Sequence, residues 1–230
     1  MWRGAAIVGW MVASSYAGDV EFAKMREHMV QTQIADRGVT NTVVLAAVRK
    51  VPRHEFVPAV QQSRAYDDHP LPIGLGQTIS QPYIVALMSE LAEVKHGDRV
   101  LEVGTGSGYQ AAVLAELGAE VYTIEILEPL ARLAAERLRH LGYTNVVAKA
   151  GDGYRGWPEH APFDAILVTA ATEPVPPPLI EQLKSGGRLV IPVGQEGQTQ
   201  QLMVLQKDAT GRVSSRSVIP VVFVPLTREK

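Results

Sequence analysis

No cysteine occurs in the chain. That excludes disulfides, thiolate zinc sites and cysteine nucleophiles, although it leaves the compartment open. An excess of one charge is also missing. The chain has 22 basic and 24 acidic residues, a formal net charge of −2, so bulk electrostatics hold no polyanion and no nucleic-acid partner is expected. The six histidines, at 28, 54, 69, 96, 140 and 160, show no metal-ligand spacing, and no metal is expected. Beyond the leader no apolar run approaches bilayer length, so no membrane partner is expected. Internal repeats and low-complexity tracts are absent.

What is present suits one soluble domain: 230 residues, 46% apolar, are enough to bury a sizeable core. The opening, MWRGAAIVGWMVASSYAGD, has the outline of a short signal peptide. It has one Arg, an apolar stretch from Ala5 to Ala13, and small residues up to Ala17. A leader is therefore set apart over residues 1–19, with a single domain over 20–230. That domain divides into a helical, lid-forming region (20–96), a nucleotide-binding core (97–195) and C-terminal strands (196–230).

From Val20 to Arg37, Phe22, Met25, Met29 and Ile34 recur at helical spacing, and Gly38 stops the helix. Asn41 is placed to cap a helix from Thr42 to Lys50, which ends before Pro52. Residues 53–80 are turn-rich and read as a long irregular segment, of the kind that often carries function. Helix returns from Gln81 to Val94, with Ser80 as a candidate cap and Pro82 early in the helix. Strands are then expected at Arg99–Val103, Glu120–Glu125, Val146–Ala150, Ala165–Thr169 and Arg188–Val193. Helices at about 107–117, 127–141 and 177–184 lie between them. The fold class is α/β: a Rossmann-like, doubly wound, mostly parallel sheet. An antiparallel hairpin of QLMVLQK and SVIPVVFVPL closes its edge, and a helical extension precedes it.

The segment RVLEVGTGSGYQAAVLAEL runs from strand through Gly104, Gly106 and Gly108 into helix. A dinucleotide fingerprint needs its third glycine at the sixth position, where this chain has Tyr109. Glu125 ends the second strand, where a carboxylate can accept from ribose hydroxyls. Asp152 follows the third strand, and Glu102 precedes the glycines. Carboxylates around the crevice would repel a phosphate. They suit a phosphate-free adenosyl ligand with positive charge, which describes S-adenosylmethionine, and the helix N-terminus is expected to offer it free N–H groups.

With these motifs the chain resembles the class I S-adenosylmethionine-dependent methyltransferases. MVQTQIADRGV, VLAAVRKVPRHEFVP, GQTISQPYIVALM, GDGYRGWPEHAPFDAILVTAA, LKSGGRLVIPVG and the closing VPLT are together similar to the protein-L-isoaspartate O-methyltransferase family, over residues 21–227. The resemblance implies methyl transfer to the free α-carboxylate of L-isoaspartyl, and D-aspartyl, residues of damaged proteins, starting their repair through a succinimide. S-adenosylhomocysteine is the implied product, and isoaspartyl peptides and proteins the implied partners. It implies Ser80 as the active-site residue. It places Thr78, Ile79, Gln81, Glu102, Gly104, Thr105, Gly106, Ser107, Gly108, Glu125, Ile126, Gly151, Asp152, Gly153 and Thr169 around the donor. Thr78, Ser80, Gln201, Val224 and Thr227 are the implied acceptor contacts.

Because the acceptor carboxylate, with a pKa of about 3.5, is already ionised at neutral pH, Ser80 is expected to position it rather than attack. A monomer is expected. A cytoplasmic location is expected too, because the donor is made there; export is the alternative if the first 17 residues are cleaved. Two other readings remain: a class I methyltransferase acting on another carboxylate or a small molecule, and a binding module without catalysis.

Overall fold

The computed structural model describes residue 18 and residues 20–228. The expectations for a leader and its cleavage site lie outside these residues.

Residues 20–28 form α1, which loosens into a π-helical turn, Met29–Ile34, and a 3-10 turn, Ala35–Arg37. Thr32 Oγ1 donates to the His28 carbonyl at 2.8 Å, a back-bond that competes with the regular helical ladder. Gly38, at φ +96°, ends the run. Helix α2 is Thr42–Lys50, and the Asn41 side chain accepts from the Val43 and Val44 N–H groups at 3.0 and 3.2 Å. Helix α3 is Pro82–Ala92 and enters through Gln81. Ser80 is therefore not its cap, because the proline ring sets the first helical φ and the chain needs only one extended residue before it.

The segment expected to be irregular is partly ordered. It contains 3-10 turns at Arg53–Phe56 and Ala59–Arg64, and an antiparallel hairpin of β1 (Leu71–Gly74) and β2 (Gln77–Ile79). Four and three residues are too short to show an alternating pattern. The tip, Gly74-Leu75-Gly76, runs through three positive φ angles.

The main sheet comprises β3 (Arg99–Val103), β4 (Glu120–Glu125), β5 (Val146–Ala150), β6 (Phe163–Val168), β7 (Leu183–Val193), β8 (Gln200–Lys207) and β9 (Val213–Val221). Helices α4 (Tyr109–Glu116), α5 (Glu128–His140) and α6 (Pro177–Glu181) lie between the parallel strands. The order is β5-β4-β3-β6-β7-β8-β9, parallel from β5 to β7 and antiparallel for β7–β8 and β8–β9. This is the expected doubly wound sheet with an antiparallel edge.

Several boundaries differ from expectation. Strand β6 starts at Phe163 and stops at Val168, and β7 starts at Leu183, because Phe163 pairs with Leu183 before the register shifts. Strand β9 begins at Val213 and ends at Val221, since Val213–Ser215 pair back onto Leu205–Lys207 across a tight turn. Its Pro220 is tolerated because β9 is an edge strand.

Alternating strand residues face two cores. Val100, Val121, Ala165 and Val190 pack with α2, α3 and α4, whereas Leu101, Val103, Ile124, Ile166 and Leu189 pack with Trp157 and α6. The chain leaves β5 at one edge and returns to β6 beside β3, so the sheet switches direction between β3 and β6. Ligands of such sheets bind beyond the carboxyl ends of the strands at this switch.

Candidate active site

The crevice lies at that switch. The glycine loop forms its floor, the ends of β4 and β6 two of its walls, and β2 with residues 78–80 its roof. Residues 224–227 close the fourth side. The tail is held there by Ala171 N–H donating to Val224 O at 2.8 Å and Leu226 N–H donating to Ala171 O at 2.7 Å.

The loop backbone is already hydrogen-bonded within the protein. The Gly104 and Thr105 N–H groups donate to Ile124 O at 2.8 and 3.2 Å, and Gly108 N–H donates to Thr105 O at 2.8 Å. Gly106 N–H donates to Glu125 Oε2 at 2.8 Å, and Tyr109 N–H donates to Ser107 Oγ at 3.3 Å. Five N–H groups of the loop and the helix start, those of Gly104, Thr105, Gly106, Gly108 and Tyr109, are thus taken up by acceptors that the protein itself supplies. An anion seated on these five groups would have to displace those bonds. The glycines serve close packing instead. Gly104 has φ +98°, and a Cβ on it would sit 2.5 Å from Thr169 Oγ1, which donates to the Gly104 carbonyl at 2.6 Å.

Glu125 is buried, and each of its carboxylate oxygens accepts one backbone N–H: Oε2 from Gly106, and Oε1 from Leu127 at 3.0 Å. Each oxygen keeps further lone-pair capacity, so an oriented carboxylate faces the crevice ready for a pair of hydroxyls. Glu102 is fully buried. Its Oε2 accepts from Thr123 Oγ1 at 2.6 Å, and Thr123 in turn pairs with Thr105 Oγ1 at 2.6 Å. Oε1 has no partner among the described residues. Burial pushes the Glu102 carboxyl up to about 8; the Thr123 bond opposes the shift and the nearby Glu125 charge adds to it.

Most of the expected residues meet here. Thr78, Ile79, Ser80, Glu102, Gly104, Thr105, Gly106, Ser107, Glu125, Ile126, Gly153, Thr169, Val224 and Thr227 all line the crevice. Five do not. Gln81 lines the groove beside the crevice instead, its Nε2 donating to Asp68 Oδ1 at 2.8 Å. Gly108 serves as the left-handed residue before α4, packed against Leu138. Gly151 continues the β5 end, its N–H donating to Glu125 O. Asp152 caps the following 3-10 turn by accepting from Tyr154 N–H at 2.9 Å, and Gly153 forms the wall in its place. Gln201 sits on β8 opposite Pro220, its Oε1 accepting from Ser217 Oγ at 2.8 Å.

A second groove of about 560 Å³ adjoins the first and shares Thr78, Ser80, Thr169 and Val224 with it. Pro70, Ile84 and Val222 make it largely apolar, and Thr199, not Gln201, represents the β7–β8 connection there. Ser80 thus stands at the junction of the crevice and a more apolar groove. Its hydroxyl has no hydrogen-bond partner among the described residues. Tyr109, Gln110 and Leu127 also line the crevice and were not anticipated.

The comparisons agree with this geometry. The family model described as protein-L-isoaspartate(D-aspartate) O-methyltransferase matches residues 24–230. The chain is 65% identical over 187 residues to protein-L-isoaspartate O-methyltransferase 2 of a Polaromonas species, covering 81% of this chain and 89% of that one. A solved protein-L-isoaspartate O-methyltransferase is 31% identical, with TM-score 0.80, over 87% of this chain and 65% of the other. A structure from Plasmodium falciparum described as a putative protein-L-isoaspartate O-methyltransferase, in complex with S-adenosyl-L-homocysteine, is 25% identical. Its TM-score is 0.74, over 89% of this chain and 99% of that one.

Proposed function

The chain belongs to the protein-L-isoaspartate(D-aspartate) O-methyltransferase family and is an S-adenosylmethionine-dependent protein carboxyl methyltransferase, and on that premise we propose how its two adjoining clefts divide the work. The deep crevice takes the donor and the apolar groove takes the peptide. Ser80, at their junction, holds the isoaspartyl α-carboxylate. The observation that carries this reading is the position of Ser80, with an uncommitted hydroxyl shared by both clefts.

The residues fit the donor. Glu125 presents a fixed carboxylate suited to the two ribose hydroxyls, and most N–H groups of the adjoining glycine loop already have acceptors within the protein. Glu102 Oε1, buried and unpartnered, suits an amine. When bound, S-adenosylmethionine supplies an electrophilic methyl group on a positively charged sulfur. The chain then has little acid–base work left, because the acceptor carboxylate is ionised at neutral pH. Ser80 donates a hydrogen bond that aims this oxygen without neutralising it. The roof over the crevice keeps water from competing, and such alignment supplies roughly 7–11 kcal/mol in favourable cases. D-aspartyl residues present a similar free carboxylate and belong to the same proposal. So do action as a monomer and a cytoplasmic location; no helix of the described residues is long and apolar enough to cross a membrane.

The test is methyl transfer to a peptide carrying one isoaspartyl residue and to its aspartyl isomer. The expected ratio of kcat/KM is at least about 10², because misplacing the carboxylate by one methylene destroys its alignment. A ratio near one would refute the acceptor assignment.

Glu102 gives the donor step a pH dependence. Its carboxyl is mostly protonated at pH 7 and must ionise to face an amine. Affinity for S-adenosylhomocysteine is therefore expected to rise from pH 6 to about 8, by at most about tenfold per unit, and to level off above that. Calorimetry at pH 7 in buffers of different ionisation enthalpy should register proton release on binding. An enthalpy independent of buffer would contradict the assignment.

A further inference from the structure

Arg53 lies in the VPRHEFVP stretch and belongs to neither cleft. It is nevertheless fully buried. Its Nε donates to Ala65 O and its Nη2 to Ser80 O, both at 2.7 Å. The guanidinium carbon sits 4.8 Å from the centre of the Tyr109 ring. Tyr109 is the first residue of α4, directly after the glycine loop. One side chain thus touches the roof of the crevice, the turn before the β1–β2 hairpin, and the helix that the floor opens into.

The manner of burial is informative. Desolvation lowers the Arg53 pKa to about 10, so the group stays charged at neutral pH, and no carboxylate contributes to its surroundings. Nη1 reaches no acceptor within 3.5 Å among the described residues, and the neighbouring Tyr109 hydroxyl only partly offsets the desolvation. A buried cation without an anion is a poor stabiliser. What the planar fork supplies is geometry, since two of its donors, in fixed relation, join carbonyls that lie 12 and 27 residues away along the chain. Of the links to residues 78–80, this one fixes the backbone of Ser80 and leaves its hydroxyl free.

We propose that Arg53 is a positioning residue for methyl transfer: it holds the Ser80 backbone in register with the donor loop, so that the hydroxyl is presented at the junction of the two clefts. This rests on the reading of Ser80 given above. Arg53 touches neither donor nor acceptor. Its loss is expected in turnover and not in donor affinity.

The experiment is a double-mutant cycle in the full chain. Arg53→Lys keeps the charge but cannot serve both carbonyls. It is expected to lower kcat on the isoaspartyl peptide by about tenfold or more, while S-adenosylhomocysteine affinity stays within about threefold. In a Ser80→Ala background the same change is expected to cost less than about twofold, because the group it positions is gone. Equal losses in both backgrounds would overturn the role of Arg53 while leaving Ser80's intact, as would a parallel fall in donor affinity. A silent Ser80→Ala would overturn the reading of Ser80 and this role with it. Should Arg53→Lys fail to fold, the wild-type protein answers by NMR. The scalar coupling across the bond from the Arg53 guanidinium nitrogen to the Ser80 carbonyl carbon is expected to persist when S-adenosylhomocysteine and an isoaspartyl peptide are bound. Its disappearance in that complex would overturn the proposal.

Discussion

Gly104→Ala is expected to weaken S-adenosylhomocysteine binding by about a hundredfold, and methyl transfer at low donor concentration with it. Two costs coincide at this residue. Its φ of +98° is one that an L side chain rarely adopts, and the new Cβ would lie 2.5 Å from Thr169 Oγ1. Left-handed backbone costs roughly 1–2 kcal/mol and overpacking roughly 1–3 kcal/mol. Thr169 cannot simply rotate away, because its hydroxyl donates to the Gly104 and Val103 carbonyls. The loop can relieve both costs only by lifting from β6. That would pull Gly106 N–H off Glu125 and disorient the carboxylate that holds the ligand. Isothermal calorimetry measures this directly. An affinity within threefold of wild type would show that the loop does not shape the donor site. Gly186 offers the contrasting control: it also has positive φ, but nothing lies within 4 Å of its virtual Cβ and it is remote from both clefts.

Ser80→Ala separates acceptor handling from donor binding. The expected result is a fall in kcat on isoaspartyl peptide of about a hundredfold, the scale on which small misplacements cost rate. Donor affinity should change little, since Glu125 and the loop are untouched. Stability should also hold, because Ser80 neither caps α3 nor bonds through its side chain among the described residues. Turnover of the alanine variant at the wild-type rate would mean that the carboxylate is aligned by other groups. A covalent role for the hydroxyl would instead predict complete loss.

Different parts of this molecule were legible in the chain for different physical reasons. Strands β3, β4 and β5 and helix α2 match their expected limits residue for residue. Each is bounded by a local signal, a Gly or Asp turn for the strands, and Asn41 with Pro52 for the helix. The hairpin over the donor loop was missed because its strands are too short for periodicity, and its tip depends on a positive φ at Leu75 that no residue type announces. Which residues line the crevice was legible where the sheet dictates it, as for Glu102 and Glu125 on adjoining strands. It failed where a side chain is claimed by a neighbour. Asp152 turns to its own 3-10 turn, Gln81 to Asp68 and Gln201 to Ser217. Each of those bonds is a tertiary or turn-level choice. Nothing local in VPRHEFVP marks Arg53, because its partners, Ala65 and Ser80, come together only once the chain has folded.

The central claim is that one junction, Ser80 between a donor crevice and an apolar groove, directs a methyl group to an α-carboxylate left free where the peptide path runs through the side-chain methylene. The most direct measurement is transfer of labelled methyl from S-adenosylmethionine to a matched pair of peptides that differ only in the isoaspartyl linkage. The account predicts base-labile label in the isoaspartyl peptide and next to none in its aspartyl twin. Comparable labelling of both, or none in either with the donor bound, would contradict it.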